Sequence, residues 1–199
     1  GCFNSGIVCS TVAAGRPGTI LMTDTPDDRS MTFAYADPPY FGMGKKMYGD
    51  KHPEAHIWDT REAHVDLLEK LAREYPDGWA YCTNPKELHW QLPHCPEGTR
   101  VAAWVKTWHQ IRPTTTQFAW EAVLWCSQRK DPKRPMVRDW VSGVTARQRG
   151  LQGAKPLYFN RWVLDLLAYR EGDVVVDLFP GTDGMAATLS QSTLPFHAV

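Results

Sequence analysis

The sequence predicts an α/β fold, with a mostly parallel central sheet flanked by helices, on three observations. Strand-like apolar runs alternate with helical patterns along the 199 residues. The run Val174-Val175-Val176 leading into Asp177-Leu178 is nearly all β-branched. That is the signature of a central parallel strand buried on both faces. A second apolar run, 31–36, ends in Asp37-Pro38-Pro39-Tyr40. Open α/β sheets bind ligands beyond the carboxyl ends of such strands.

The elements follow in order. Residues 19–23 are a first strand candidate, followed by an acidic turn at 24–28. Residues 31–36 form the next strand. The stretch 41–58 is rich in Gly and polar residues and reads as a long loop. An amphipathic helix is expected over 60–75, with Asp59 as its cap and Glu62 three residues on. Ala63, Leu67, Leu71 and Tyr75 lie on one face, and Pro76 stops it. Residues 79–83 form a short strand and 85–90 a helical turn. Further strands are expected at 101–106 and 121–127, joined through a polar run. The basic stretch 129–153 shows no period and reads as loop. A second helix is expected over 156–170, with Pro156 at its first position and Gly172 just past its end. The strand 174–178 and a helix over 185–191 follow, and the sequence stops at Val199 inside what reads as the next strand.

Composition narrows the function. Hydrophobic residues make up 43% and charged residues 22%, which describes a globular chain read as one domain, 1–199. Lys plus Arg equals Asp plus Glu, so the formal net charge is zero. That excludes a strongly basic nucleic-acid glove and makes any DNA affinity salt-sensitive. Five scattered Cys imply no disulfide framework and fit a reducing cytoplasm. No apolar run is long enough to span a membrane, and no signal peptide is evident. Cys82, His89, His94 and Cys95 match no common zinc spacing, so no metal is expected.

Two constellations carry chemistry. In the first, Asp37 can accept a hydrogen bond from an exocyclic amine. Pro38 lacks an N–H, so its carbonyl offers a second acceptor without a competing donor. Pro39 stiffens the turn, and Tyr40 offers a flat face, worth about 1–3 kcal/mol per stacked base. The second is Asp177-Leu178-Phe179-Pro180-Gly181-Thr182-Asp183-Gly184, which leads from strand to helix. Glycines there permit close backbone approach, and the helix N-terminus favours negative groups.

Asp37-Pro38-Pro39-Tyr40 resembles the catalytic motif of S-adenosylmethionine-dependent amino-methyltransferases of adenine N6 or cytosine N4. The second constellation resembles the cofactor-binding Asp-x-Phe-x-Gly-x-Gly motif of that family. Lys155-Pro156 with the following helix resembles the segment that touches the cofactor's methionine end. Trp104-Val105-Lys106 and Trp120-Glu121-Ala122-Val123-Leu124-Trp125 resemble the sheet segments between the motifs. The order, amine motif first and cofactor motif last, is that of the permuted, beta-type DNA enzymes. The resemblance runs from about residue 19 to the end and implies a Rossmann-like methyltransferase fold.

The resemblance implies S-adenosylmethionine as cofactor and DNA as partner, either a duplex with a flipped base or a single strand. Asp37, Pro38, Pro39 and Tyr40 would be catalytic. Asp177, Phe179, Gly181, Asp183, Gly184, Lys155, Pro156 and Asp24 would bind cofactor. Phe41, Lys45, Lys46, Arg129 and Lys130 would meet nucleic acid, with 41–58 as a catalytic loop and 129–153 as a short target-recognition segment. Asp at the first motif position leans towards adenine. Three departures stand out. Asp183 replaces the family's second glycine, the recognition segment is short, and the sequence ends at Val199 before the acidic residue that holds the cofactor's ribose. A non-catalytic relative that binds nucleic acid or a protein, and an RNA adenine methyltransferase, are the alternatives.

Overall fold

The computed structural model describes residues 29–50, 52–107, 113, 115–131, 134–145, 154–181 and 183–191. The strand expected at 19–23, Asp24, Thr182 and all of 146–153 lie outside these residues.

Six strands form one mixed sheet: β1 (Thr32–Ala36), β2 (Gly78–Thr83), β3 (Arg100–Lys106), β4 (Trp120–Ser127), β5 (Trp140–Gly143) and β6 (Val174–Asp177). Their order is β5-β3-β4-β2-β1-β6. β1 pairs in parallel with β2 and β6, and β3 with β5, while β4 runs antiparallel to both β2 and β3. Five of the described strands therefore share one direction. Period-2 alternation sends Phe33 and Tyr35 to one face and Ala34 and Ala36 to the other.

Helices cover both faces. On one, α4 (Leu157–Leu167) buries Phe159, Val163 and Leu167, joined by Met185 of α5 (Gly184–Gln191). On the other, α2 (Arg61–Glu74) buries Leu67, Leu68 and Leu71 against Trp79, Tyr81 and Leu124. Each large side chain so buried contributes about 1.5–3 kcal/mol before chain entropy is counted.

Several boundaries differ from expectation, each for a local reason. The cap of α2 is Thr60, whose hydroxyl accepts the Ala63 N–H at 3.4 Å. Asp59 faces the other way and accepts the N–H groups of Gly44 and Lys45 at 2.7 and 3.0 Å. Those are the first donors of a short helix, α1 (Gly44–Tyr48), inside the stretch expected to be loop. A 3-10 helix, Pro53–Asp59, follows it. Gly44 is needed there for close approach, since a Cβ would sit 1.9 Å from the Ala55 carbonyl oxygen. A third short helix, α3 (Leu88–Gln91), sits between 3-10 turns in the region expected to be a helical turn.

Pro156 precedes α4 as its cap, and its carbonyl accepts the N–H groups of Phe159 and Asn160. That helix ends earlier than expected, at Ala168, which adopts a left-handed φ of 60°. The Tyr169 N–H reaches back to the Leu164 carbonyl at 3.0 Å, a Schellman closure. Within 129–153 a strand appears, β5, because its backbone pairs with β3. β6 was expected at the buried centre of the sheet. Among the described residues it is instead a terminal strand, with Val174 exposed.

One buried ion pair ties the ends of these elements together. Arg129 meets both oxygens of Asp173, with side-chain exposures of 1% and 2%. Arg129 also donates to the carbonyls of Ala168 and Arg29, and Asp173 accepts the N–H groups of Met31 and Arg170. This corrects the expectation that Arg129 meets nucleic acid, because its guanidinium is committed inside the protein. Among the described residues, no helix is long and apolar enough to cross a membrane.

Candidate active site at the carboxyl ends of the strands

β1 and β6 are parallel neighbours with Tyr35 opposite Asp177. The Leu178 N–H donates to the Tyr35 carbonyl at 2.9 Å, extending the pairing past the strand. Asp37-Pro38-Pro39-Tyr40 and the turn beginning at Asp177 therefore leave the sheet side by side. The chain after β1 leads to α2 on one face, and the chain after β6 leads to α5 on the other. Adjacent strands whose connections diverge in this way open a crevice between them, the usual ligand site of such sheets.

On the β1 side, Lys155 is the hub. Its ammonium donates to Asp37 Oδ1 at 2.8 Å and to the Tyr40 hydroxyl at 3.1 Å. It also lies 3.3 Å from Glu121 Oε2. The Tyr40 hydroxyl donates to Glu121, whose other oxygen pairs with Lys106. The Lys155 ammonium lies over three rings, 5.1 Å from the centroid of Tyr40, 5.7 Å from Trp104 and 5.8 Å from Phe159. Lys155 was expected to touch the methionine end of the cofactor. Its ammonium instead bonds Asp37 and Tyr40 of the amine motif and pairs with Glu121. Pro38 is buried beside them, and Pro39 is half-buried.

On the β6 side, Asp177 accepts the Phe179 N–H at 3.0 Å and so shapes the turn. Phe179 meets Trp58 edge-on at 5.0 Å. Gly181 and Asp183 both have positive φ, 46° and 56°. The Asp183 N–H donates to the Pro180 carbonyl, and the Asp183 carbonyl accepts from Ala187 in the first turn of α5. Gly184 opens that helix.

Asp183 thus occupies a backbone conformation that glycine adopts freely and that other L-residues adopt at a cost.

No protein-family model matches this sequence, and no curated protein matches it. Among solved structures, the chain is similar to the M1.HpyAVI–SAM complex, with TM-score 0.56 and 15% identity over 84% of this chain and 81% of that one. A second crystal structure of M1.HpyAVI aligns with TM-score 0.50 and 10% identity over 81% and 75% of the two chains. The fold is the Rossmann-like methyltransferase fold.

In that fold the electrostatics of the crevice are uneven. Burial would raise the Glu121 carboxyl, but the ammonium groups of Lys155 and Lys106 outweigh it and bring it down to about 2. Burial would lower the Lys155 ammonium, and the carboxylates of Asp37 and Glu121 instead push it well up. Burial raises the Asp37 carboxyl, with Lys155 pulling the other way. Burial also raises Asp177, and the charges of Asp37 and Asp183 add to it. The β1 side is a balanced ionic lattice, whereas the β6 side carries negative charge with less compensation.

The other expected residues divide. Phe41 packs edge-on against Trp90 at 5.8 Å and His64 at 6.3 Å, within an aromatic cluster behind the site. His64 is a satisfied core histidine, bonded to the Tyr81 hydroxyl and the Trp58 carbonyl. Lys45 and Lys46 on α1 and Lys130 after β4 are exposed. Glu121, Lys106 and Trp58 were not singled out from sequence. The signal for the first two was a charge of each sign at the ends of otherwise apolar strands, Trp104-Val105-Lys106 and Trp120-Glu121-Ala122.

Proposed function

We propose that the chain is an S-adenosylmethionine-dependent DNA amino-methyltransferase that methylates an exocyclic amine, with adenine N6 preferred. The observation that carries this reading is the meeting of Asp37-Pro38-Pro39-Tyr40 with the Asp177–Gly184 turn at the crevice between β1 and β6. The similar M1.HpyAVI structure is a SAM complex in the same fold, which supports the choice of cofactor. The crevice itself suits such a ligand. Asp37, Asp177 and Asp183 act on one another as like charges, and a cationic sulfonium and ammonium would relieve that repulsion. Phe179, Gly181, Gly184 and Pro156 would line the cofactor side.

When bound, the cofactor would supply an electrophilic methyl carbon; its bond pair would stay on sulfur as the new N–C bond forms, and the nitrogen would release one proton to solvent. The protein's work is positioning. Asp37 and the Pro38 carbonyl accept the two N–H groups of the target amine and favour its pyramidal, electron-rich form in the transition state. Pro39 keeps the turn stiff. Tyr40, fixed at its hydroxyl by Glu121 and Lys155, offers a set plane for the base. In a duplex the base must first be flipped out, at a few kcal/mol. Lys45, Lys46 and Lys130 would contribute phosphate contacts, so affinity should fall with salt.

The test is calorimetric titration of S-adenosylmethionine, followed by labelled methyl transfer to DNA and RNA with nucleoside analysis. Micromolar binding and label in N6-methyladenine of DNA is the expected result. Label in RNA alone would move the reading to an RNA enzyme. No binding at millimolar cofactor by folded protein would favour a non-catalytic relative, the reading that Asp183 in its strained turn suggests.

A further inference from the structure

Lys155 is buried, yet its ammonium is surrounded by charged, hydroxyl and aromatic groups. Its side chain is 8% exposed and that of its partner Asp37 is 19% exposed. A buried ammonium persists only when charges and hydrogen bonds compensate its lost hydration. Here compensation comes from three elements: Asp37 and Tyr40 after β1, Glu121 on β4, and the rings of Tyr40, Trp104 and Phe159. Lys106 on β3 secures Glu121 from its other oxygen. The ammonium takes one oxygen of Asp37, and a carboxylate has acceptor capacity beyond that single bond.

We propose that Lys155 is the positioning residue of this site: held by Glu121 and Tyr40, its ammonium keeps the Asp37 carboxylate ionised and aimed as an acceptor for the target amine. The inference rests on the amino-methyltransferase reading. A protonated Asp37 would present a donor where the amine needs an acceptor. Of the groups around Asp37, Glu121 on β4 and Asp177 on β6 oppose its ionisation by like charge. Lys155 is the cation that bonds it. Tyr35 on β1, Cys82 on β2 and Tyr48 on α1 also lie near it, each pushed upward by burial and therefore neutral near pH 7, with the Cys82 thiol adding a hydrogen bond to Asp37; Tyr81, on the other face of β2, acts on it only at a distance. Among the described residues, the ammonium in direct contact with Asp37 is thus that of Lys155.

The experiment is a carbon-detected NMR titration of the Asp37 carboxyl in the full chain, without cofactor, in the wild type, Lys155→Met and Lys155→Arg. Lys155→Met should move the Asp37 titration to higher pH, and Lys155→Arg should restore it. In the wild type, protonating Asp37 should shift the Lys155 Nζ resonance in the same pH range. That reading stands even if Lys155→Met does not fold. An Asp37 titration unmoved in folded Lys155→Met, or a Lys155 signal blind to Asp37 in the wild type, overturns the proposal. Methyl transfer to unmethylated genomic DNA gives the functional arm. Lys155→Met should lose at least tenfold at the acid end of the activity range, with the gap closing as pH rises and Asp37 ionises. A pH-independent loss would instead mark a structural role. Failure of wild-type cofactor binding would count against the methyltransferase reading alone, because the Asp37 titration is read without cofactor.

Discussion

In the proposed reaction Asp37, together with the Pro38 carbonyl, accepts from the target amine. Asp37→Ala should therefore abolish methyl transfer while leaving cofactor affinity largely intact. Retention of more than about a tenth of the rate, a loss under roughly 1.4 kcal/mol, would contradict its role. Asp183 makes a different prediction. Its φ of 56° strains a non-glycine backbone, so Asp183→Gly should stabilise the fold by about 1 kcal/mol in denaturant unfolding. An unchanged midpoint would mean that the turn accommodates it, since Asp tolerates this region better than most residues. Asp37 was legible in the sequence because its motif is local and contiguous. Its grouping with Glu121 and with Lys155, itself read from sequence as a cofactor residue, was not. Glu121 lies 84 residues beyond Asp37 and Lys155 a further 34, so only tertiary structure brings the three together.

At the scale of elements, tight local contacts set the shape of the crevice wall. Gly44→Ala should force α1 away from the 3-10 segment and cost about 1–3 kcal/mol, as overpacking usually does. Faster amide exchange confined to 41–59 would be the sign of it. The Arg129–Asp173 pair fastens the ends of β1, β4 and α4. Arg129→Met strands a buried carboxylate and should cost about 3–5 kcal/mol in unfolding, without changing the salt dependence of DNA binding. Helix α2 and strands β1 to β4 were legible because apolar periodicity and Pro or Gly punctuation agree with the final packing. β5 was not, because Trp140-Val141-Ser142-Gly143 is short and exposed, and only its pairing with β3 makes it a strand. Among the described residues β6 is a terminal strand, and three valines fit a half-covered strand as well as a buried one.

For the whole molecule, the ionic lattice around Lys155 sets a pH window. Glu121 has a folded value of about 2 against an ordinary 4.5, so its contribution is present above the ordinary value and lost as pH falls towards 2. Lys155 is raised, so its contribution is present below the ordinary lysine value and lost only as pH climbs through the higher folded one. Asp37, raised by burial, has the opposite sign to Glu121 and offsets part of the acid loss. Unfolding midpoints followed from pH 7 to pH 3 should fall, and Glu121→Gln should flatten that limb while lowering the plateau. A wild-type curve no steeper than that of Glu121→Gln would contradict the lattice.

The central claim is that the crevice between β1 and β6 transfers a methyl group to a base amine. The most direct test incubates the chain with methyl-labelled S-adenosylmethionine and unmethylated DNA, then separates the nucleosides. Label in N6-methyladenine, absent with Asp37→Ala, is the predicted result. DNA free of label, with the protein folded and the cofactor bound, would contradict it.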